Sequence, residues 1–187
     1  MVVSQQHRFV GIQIPHTGST SFGVWCCRYF EARKIQSKHA WKVPEKFEHY
    51  SRYCLVRNPY DRMMAWWWFG KEHGEENVSF EQFMEFIIER KEWAPEAMDG
   101  RLKIPEFYQP QYKWIDRAQI DVWVRLEDIP KGLGKFSFVG KEIPPFPHRN
   151  KTVTKPQISA YNYLSDSRKR LVLEYCKKDF EIFGYEQ

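Results

Sequence analysis

A chain of 187 residues with 42% hydrophobic side chains can bury one core of ordinary size, which argues against disorder. The formal net charge of +5 is mild; without a basic cluster it gives no ground for nucleic-acid binding, while it suits an anionic small molecule. Aromatic residues, at 17%, point to a core built on rings and to a cleft that stacks bases or sugars.

In chain order, Phe9 to Ile14 is a short β-type run that feeds Pro15-His16-Thr17-Gly18-Ser19-Thr20-Ser21. From about Thr20 to Ala32, Phe22, Trp25, Cys26, Tyr29 and Phe30 recur at helical spacing and predict a helix. Arg33 to Pro44 is polar and irregular, and Pro44 to Tyr50 predicts a short helix. Tyr53 to Arg57 reads as a buried strand stopped by Asn58-Pro59, and Tyr60 to Phe69 as a helix with Pro59 at its start. Ser79-Phe80-Glu81-Gln82 is a capping box. The helix behind it, to about Trp93, carries Phe80, Phe83, Met84 and Ile87 on one stripe. Ala94 to Pro110 reads as a loop, Tyr112 to Arg117 as helical, and the alternation of Ile120 to Arg125 as a third strand. Leu126 to Gly134 is a turn with a short helix, and Phe136 to Val139 is a short apolar run. Pro144-Pro145-Phe146-Pro147 is a stiff connection into basic His148-Arg149-Asn150-Lys151. A last helix is expected from Ser165-Asp166 to about Lys178. Strands separated by helices predict an α/β protein with a mainly parallel sheet, in a single domain over residues 1–187.

The four cysteines, Cys26, Cys27, Cys54 and Cys176, form no CxxC pair, so a zinc site is not expected and a reducing compartment is. Met1 to Arg8 lacks the apolar stretch of a secretory leader, and no window approaches the ~18 apolar residues of a membrane span. The expected location is therefore cytoplasmic. On that footing the sequons at Asn77-Val78-Ser79 and Asn150-Lys151-Thr152 are read as chance.

The chemistry is concentrated in two stretches. A strand, a tight loop and a helix start expose several backbone N–H groups together with the positive end of a helix dipole, an arrangement suited to phosphate. Pro15 to Ser21 has that order, but Ser19 after Gly18 rules out a Walker A loop. Gly18 permits close backbone approach, and Thr17, Ser19, Thr20 and Ser21 offer hydroxyls. A plain helix cap with extra hydroxyls has the same appearance. The second stretch, Cys54 to Arg62, sets Arg57 at a strand mouth, where α/β sheets collect ligands, and Arg62 about one turn into the next helix. Two guanidinium groups there suit a second phosphate, while either alone equally fits a surface ion pair.

Taken together, the stretches resemble those of the sulfotransferases that use 3′-phosphoadenosine 5′-phosphosulfate (PAPS). The resemblance is to the carbohydrate branch, which includes heparan 2-O- and chondroitin-type enzymes and small bacterial relatives. Pro15 to Ser21 is similar to its P-K-T-G-S-T-S loop, and Val56 to Arg62 to its V-R-N/D-P-x-x-R element. Ser79 to Phe83, Gln109-Pro110-Gln111, Val124 to Asp128, Pro147 to Thr152, Tyr175 with Asp179-Phe180, and Phe183-Gly184-Tyr185 follow in the family's order. The resemblance implies a P-loop-like three-layer fold. It implies that His16, Thr17, Gly18, Ser19, Thr20 and Ser21 hold the 5′-phosphosulfate and that Arg57 and Arg62 hold the 3′-phosphate. Asn150, Lys151 and Thr152 would cover the nucleotide. Two positions depart from the family: His16 stands where it has a lysine that steadies the leaving phosphate, and Ala65 where it has a serine that contacts the 3′-phosphate.

Transfer to a hydroxyl needs a base. Of six histidines, His39 in Ser37-Lys38-His39-Ala40 falls in the interval where heparan 2-O-type relatives carry their catalytic histidine. By spacing alone it equally fits a solvated loop residue; His49 and Glu31 are the fallbacks. Most of Trp66-Trp67-Trp68 is expected in the core, whereas Trp93 and Trp114 are candidates to line a sugar site. Arg33, Lys34 and Lys38 are placed to meet an acidic acceptor, although a solvated face is the default for such charges.

The resulting expectation is a PAPS-dependent sulfotransferase acting on a carbohydrate-type hydroxyl, a glycan or glycoside, with His39 as base and His16 beside the leaving group. PAPS is the co-substrate, 3′,5′-ADP the product, and no metal, nucleic acid or membrane is involved. The alternatives are a protein that binds PAPS or 3′,5′-ADP without turnover, marked by His16 and Ala65, and a small-molecule kinase.

Overall fold

The computed structural model describes residues 1–72, 77–89, 105–149 and 160–187. The expectations for Trp93, for residues 94–104 and for Asn150-Lys151-Thr152 lie outside these residues. In chain order the elements are β1 (Val2–Ser4), β2 (Phe9–Ile12), α1 (Ser19–Tyr29), β3 (Arg33–Lys34), β4 (Ser51–Val56), α2 (Pro59–Glu72), α3 (Phe80–Glu89), α4 (Gln111–Ala118), β5 (Val122–Arg125), α5 (Ala160–Tyr163) and α6 (Asp166–Phe183). They fall in two compact units, Met1–Arg57 with Gln111–Lys151, and Asn58–Pro110 with Thr152–Gln187.

The first unit holds a five-stranded sheet in the order β3-β1-β2-β4-β5. β2, β4 and β5 run parallel, with Ile12 opposite Cys54 and Val56 opposite Arg125. β1 runs antiparallel to both β2 and β3, so the mainly parallel sheet expected holds for the core and not for this flank. The flank escaped notice because Val2–Ser4 is too short to show a period and Arg33–Lys34 is polar and exposed. Every residue of β2 is buried, as are the last four of β4, the continuous apolar character of strands covered on both faces. One cover is aromatic. Phe9 stacks on Phe138 with ring centroids 3.9 Å apart, and Phe138 meets Tyr53 and Phe30 edge-on. Trp25 of α1, fully buried, packs on Phe30 at 4.7 Å. Because the three central strands are parallel, the chain leaves all of them at one edge of the sheet. There lie the turn after Ile12, Arg57 and Leu126.

The second unit is helical among its described residues. α2 packs against α5 and α6, and α3 against α6, around a core in which Tyr60 and Phe180 meet at 4.9 Å. Trp66 and Trp67 are buried there and Trp68 is half-buried, the core role expected for most of that triplet. The capping box forms reciprocally: Ser79 N–H donates to Gln82 Oε1 (2.9 Å) and Gln82 N–H to Ser79 Oγ (3.1 Å). α6 continues past the Lys178 expected and stops at Gly184, whose φ of 67° ends the helix in left-handed backbone. Among the described residues, no helix is long and apolar enough to cross a membrane.

Candidate active site

The turn between β2 and α1 passes twice through left-handed backbone, with φ of 60° at His16 and 75° at Gly18. Glycine is required at position 18 by space as well as by backbone, since a Cβ there would lie 2.7 Å from Leu126 Cδ1. The turn alternates: His16, Gly18 and Thr20 are partly exposed, while Thr17, Ser19 and Ser21 are buried. Thr17 Oγ1 donates to the Ile14 carbonyl at 3.0 Å, so this hydroxyl braces the turn from within. The first intrahelical bond of α1 runs from Phe22 N–H to Gly18 O (3.0 Å). The N–H groups of Ser19, Thr20 and Ser21 precede it, and the cap is a glycine with no side chain to receive them. This departs from a hydroxyl-capped helix and has the form of an anion cradle.

Gln13 ties both shoulders of the turn. Its side-chain Nε2 donates to Ser19 O at 2.6 Å, beneath the start of α1. Its main-chain oxygen receives His39 Nδ1, also at 2.6 Å. A carbonyl can only accept, so Nδ1 carries the proton and the basic lone pair of a neutral His39 resides on Nε2. The preceding residue, Lys38, donates from Nζ to Thr20 Oγ1 at 2.5 Å, on the first turn of α1. The carbonyls of Ser37 and Lys38 both accept from the Met1 nitrogen at 2.8 Å. The segment read from sequence as irregular is thus pinned to β1 at its base and to the turn through two consecutive side chains.

Arg57 follows the last residue of β4. Its Nη1 donates to His16 O at 3.3 Å, which joins the two sequence stretches. Its backbone is clamped by Gln111 at the head of α4: Arg57 N–H donates to Gln111 Oε1 and Gln111 Nε2 donates to Arg57 O, both at 2.8 Å. Gln111 is completely buried. After β5, Arg125 Nε donates to Asp128 at 3.0 Å, and Leu126 packs under Gly18. The returning chain is also fastened to α1. Trp25 Nε1 donates to Pro144 O (3.1 Å), and Arg149 N–H donates to Ser21 Oγ (3.0 Å). That places the exposed Arg149 beside the first turn of α1.

Of the residues predicted for the site, His16 to Ser21, His39 and Arg57 therefore share one edge of the first unit. Arg62 does not present itself in the way expected. It lies in the second unit, fully buried, and its guanidinium donates to the carbonyls of Gln109 (2.9 Å) and Phe107 (3.0 Å). In this structure the guanidinium that was expected at the 3′-phosphate has no exposed surface. Ala65, the other departure, is buried in α2. Trp114 is buried in α4 rather than lining a sugar site. Glu31 and His49 are exposed, and His49 lies edge-on to Tyr50 at 4.7 Å. Sequence reasoning gave no role to Gln13 or Gln111, and offered Lys38 to an acidic acceptor, with a solvated face as the default, rather than to the turn.

A sequence model of the sulfotransferase family matches residues 1–186. No curated protein and no solved structure matches the chain.

Proposed function

The chain belongs to the sulfotransferase family, and from that we propose that it transfers a sulfuryl group from PAPS to a hydroxyl of a carbohydrate-type acceptor, with His39 as general base. The observation that carries this reading is the bond from His39 Nδ1 to Gln13 O, which puts the proton of a neutral ring on Nδ1 and its basic lone pair on Nε2. Gln13 O stands at the mouth of the turn whose helix start suits an oxyanion, so His39 and the start of α1 are fastened to one residue, through its main chain and its side chain. In this reading the whole chain is one P-loop-like domain, supported by a family match that runs through both units.

The residues present fit the donor's anionic groups. The Gly18-capped start of α1 and its first N–H groups receive the 5′-phosphosulfate. His16 stands on the turn itself, half-exposed, within reach of the same anion. Arg57, clamped by Gln111, meets the 3′-phosphate with a guanidinium suited to bidentate contact. Arg149, held on α1, with Asn150, Lys151 and Thr152 after it, covers the nucleotide. PAPS supplies an activated sulfur attached through an oxygen that leaves as part of 3′,5′-ADP. The protein positions this group, neutralises charge and removes the acceptor's proton, as in phosphoryl transfer.

The test is incubation with sulfur-labelled PAPS and a panel of glycans and glycosides. Label on a glycan, lost in His39→Ala, is the expected result. Binding of 3′,5′-ADP with no label on any acceptor favours a non-catalytic nucleotide-binding protein, the reading that His16 in place of lysine would explain. Magnesium-dependent ATP turnover favours a kinase.

A further inference from the structure

We propose that Lys38 is a catalytic residue, whose ammonium contacts the donor's phosphosulfate oxygens and stabilises the charge that develops on the leaving oxygen. This rests on the PAPS reading above and adds to it a cation from outside the turn. Within Pro15 to Ser21 no side chain carries a permanent positive charge. Arg57 meets the turn at His16 O, from the strand side. On the helix side, Lys38 Nζ is hydrogen-bonded to Thr20 Oγ1, on the residue whose N–H is among those preceding the first helical bond. An oxyanion received by those N–H groups therefore arrives beside this ammonium. Lysine carries three donors on a rotating stem, so bonding to Thr20 and meeting an oxyanion are compatible tasks.

Two features separate Lys38 from a solvated surface lysine. It is half-buried, and the carbonyls of residues 37 and 38 are held by the Met1 nitrogen at 2.8 Å, so its backbone is fixed before any ligand arrives. It is also the direct neighbour of His39. The pair straddles the turn: His39 is fastened where the strand ends, at Gln13, and Lys38 where the helix begins, at Thr20. Consecutive residues would then serve the two ends of one displacement. The acceptor oxygen forms its bond to sulfur while its proton passes to His39 Nε2. The bond between sulfur and the bridging oxygen breaks, and its electron pair stays on the 5′-phosphate oxygen of 3′,5′-ADP, opposite the Lys38 charge. Charge stabilisation of this kind acts in the transition state more than in the ground state.

The experiment measures release of 3′,5′-ADP from saturating PAPS with the glycoside panel, and with water as the acceptor when no glycoside is added. Affinity for 3′,5′-ADP is measured in parallel by calorimetry. Lys38→Met is expected to lower the turnover rate roughly 10²-fold. Its affinity for 3′,5′-ADP, whose 5′-phosphate keeps the oxygen that Lys38 faces, is expected to fall as well, by clearly less than the rate. Lys38→Arg keeps the charge and is expected to recover a large part of the rate. Wild-type turnover in Lys38→Met overturns the proposal and leaves the PAPS reading standing. So does an equal loss of rate and 3′,5′-ADP affinity, which would make Lys38 a brace for the turn. A wild-type protein that neither binds 3′,5′-ADP nor turns over PAPS overturns both. An unchanged unfolding midpoint in Lys38→Met shows that the loss of rate is not a loss of fold.

Discussion

His39 Nδ1 and the main-chain oxygen of Gln13 lie 2.6 Å apart across 26 positions of sequence. The bond fixes both the ring and its tautomer. His39→Gln and His39→Ala are each expected to cut transfer by roughly 10²–10⁴-fold, the usual share of a general base, while leaving 3′,5′-ADP binding intact. Equal transfer by wild type and both variants would remove His39 from the mechanism. Gln13 cannot be tested in the same way, since its main-chain oxygen persists in any substitution. Gly23→Ala reaches it indirectly, because a Cβ at position 23 would lie 2.5 Å from Gln13 Nε2 and displace the side chain that holds Ser19 O.

Gln111 makes two 2.8 Å bonds to the backbone of Arg57 from a completely buried side chain. Gln111→Ala leaves an N–H and a C=O with no partner, each costing about 1–3 kcal/mol. The expected result is a lower urea midpoint and weaker binding of 3′,5′-ADP together, because the same peptide carries the Arg57 guanidinium. Gln111→Glu puts a carboxylate oxygen where the donor to Arg57 O stood, two acceptors in contact at a buried position, so it is expected to lose at least as much stability as Gln111→Ala. Parity of Gln111→Ala with wild type in urea would show that the clamp contributes nothing.

Gly18 separates a backbone cost from a packing cost. Its φ of 75° penalises any L side chain by about 1–2 kcal/mol, and Leu126 Cδ1 blocks the space that a Cβ would fill. Gly18→Ala is expected to abolish measurable nucleotide binding. Adding Leu126→Ala relieves the packing cost alone, so the double variant is expected to regain part of the binding. No regain would place the whole effect in the backbone.

The cysteines give a check on the fold that needs no ligand. Cys26, Cys54 and Cys176 are buried, and burial pushes each thiol well above the ordinary range. Cys27 is exposed on α1, with partial desolvation raising its thiol as well. A raised thiol holds less thiolate at a given pH, so Cys27 is expected to react more slowly than a free cysteine at neutral pH and to speed up as the pH rises. One equivalent of disulfide reagent should react with the folded chain and all four thiols with the unfolded one. Cys27→Ser should remove the folded-state equivalent. Two or more rapid equivalents in the folded protein would contradict the burial of the other three.

Much of this fold was legible where a pattern is local. The strand runs at Phe9 and Tyr53, the helix stripe at Phe80, the capping box at Ser79 and the turn at Gly18 all lie within a few residues of what determines them. The parts that escaped are set by distant partners. Arg33-Lys34 is a strand because Val3 pairs with it, not because of its own side chains. Lys38 finds Thr20 across 18 positions and Gln111 finds Arg57 across 54, and neither separation is visible in a periodicity. Trp114 and Arg62 are likewise buried by surroundings that no local pattern shows.

Arg57 and Arg62 were paired in sequence as two grips on one phosphate, and their environments now assign them different consequences. Arg57 is half-exposed at the end of a strand, with one donor on His16 O. Arg57→Ala should weaken 3′,5′-ADP binding markedly and shift the unfolding midpoint little, since the residue is only partly buried. Arg62 is fully buried and bridges the carbonyls of Phe107 and Gln109. Removing its guanidinium leaves two acceptors without these donors, at about 1–3 kcal/mol each, and opens a cavity as well. Arg62→Ala is therefore expected to lose stability first, with any loss of binding following the unfolded fraction. Arg62→Lys is expected to be nearly as damaging, because a single ammonium cannot reproduce the fork that reaches both carbonyls. Urea denaturation and 3′,5′-ADP titration on both single variants decide the matter. A stable Arg62→Ala protein that has lost nucleotide binding would return Arg62 to the phosphate site.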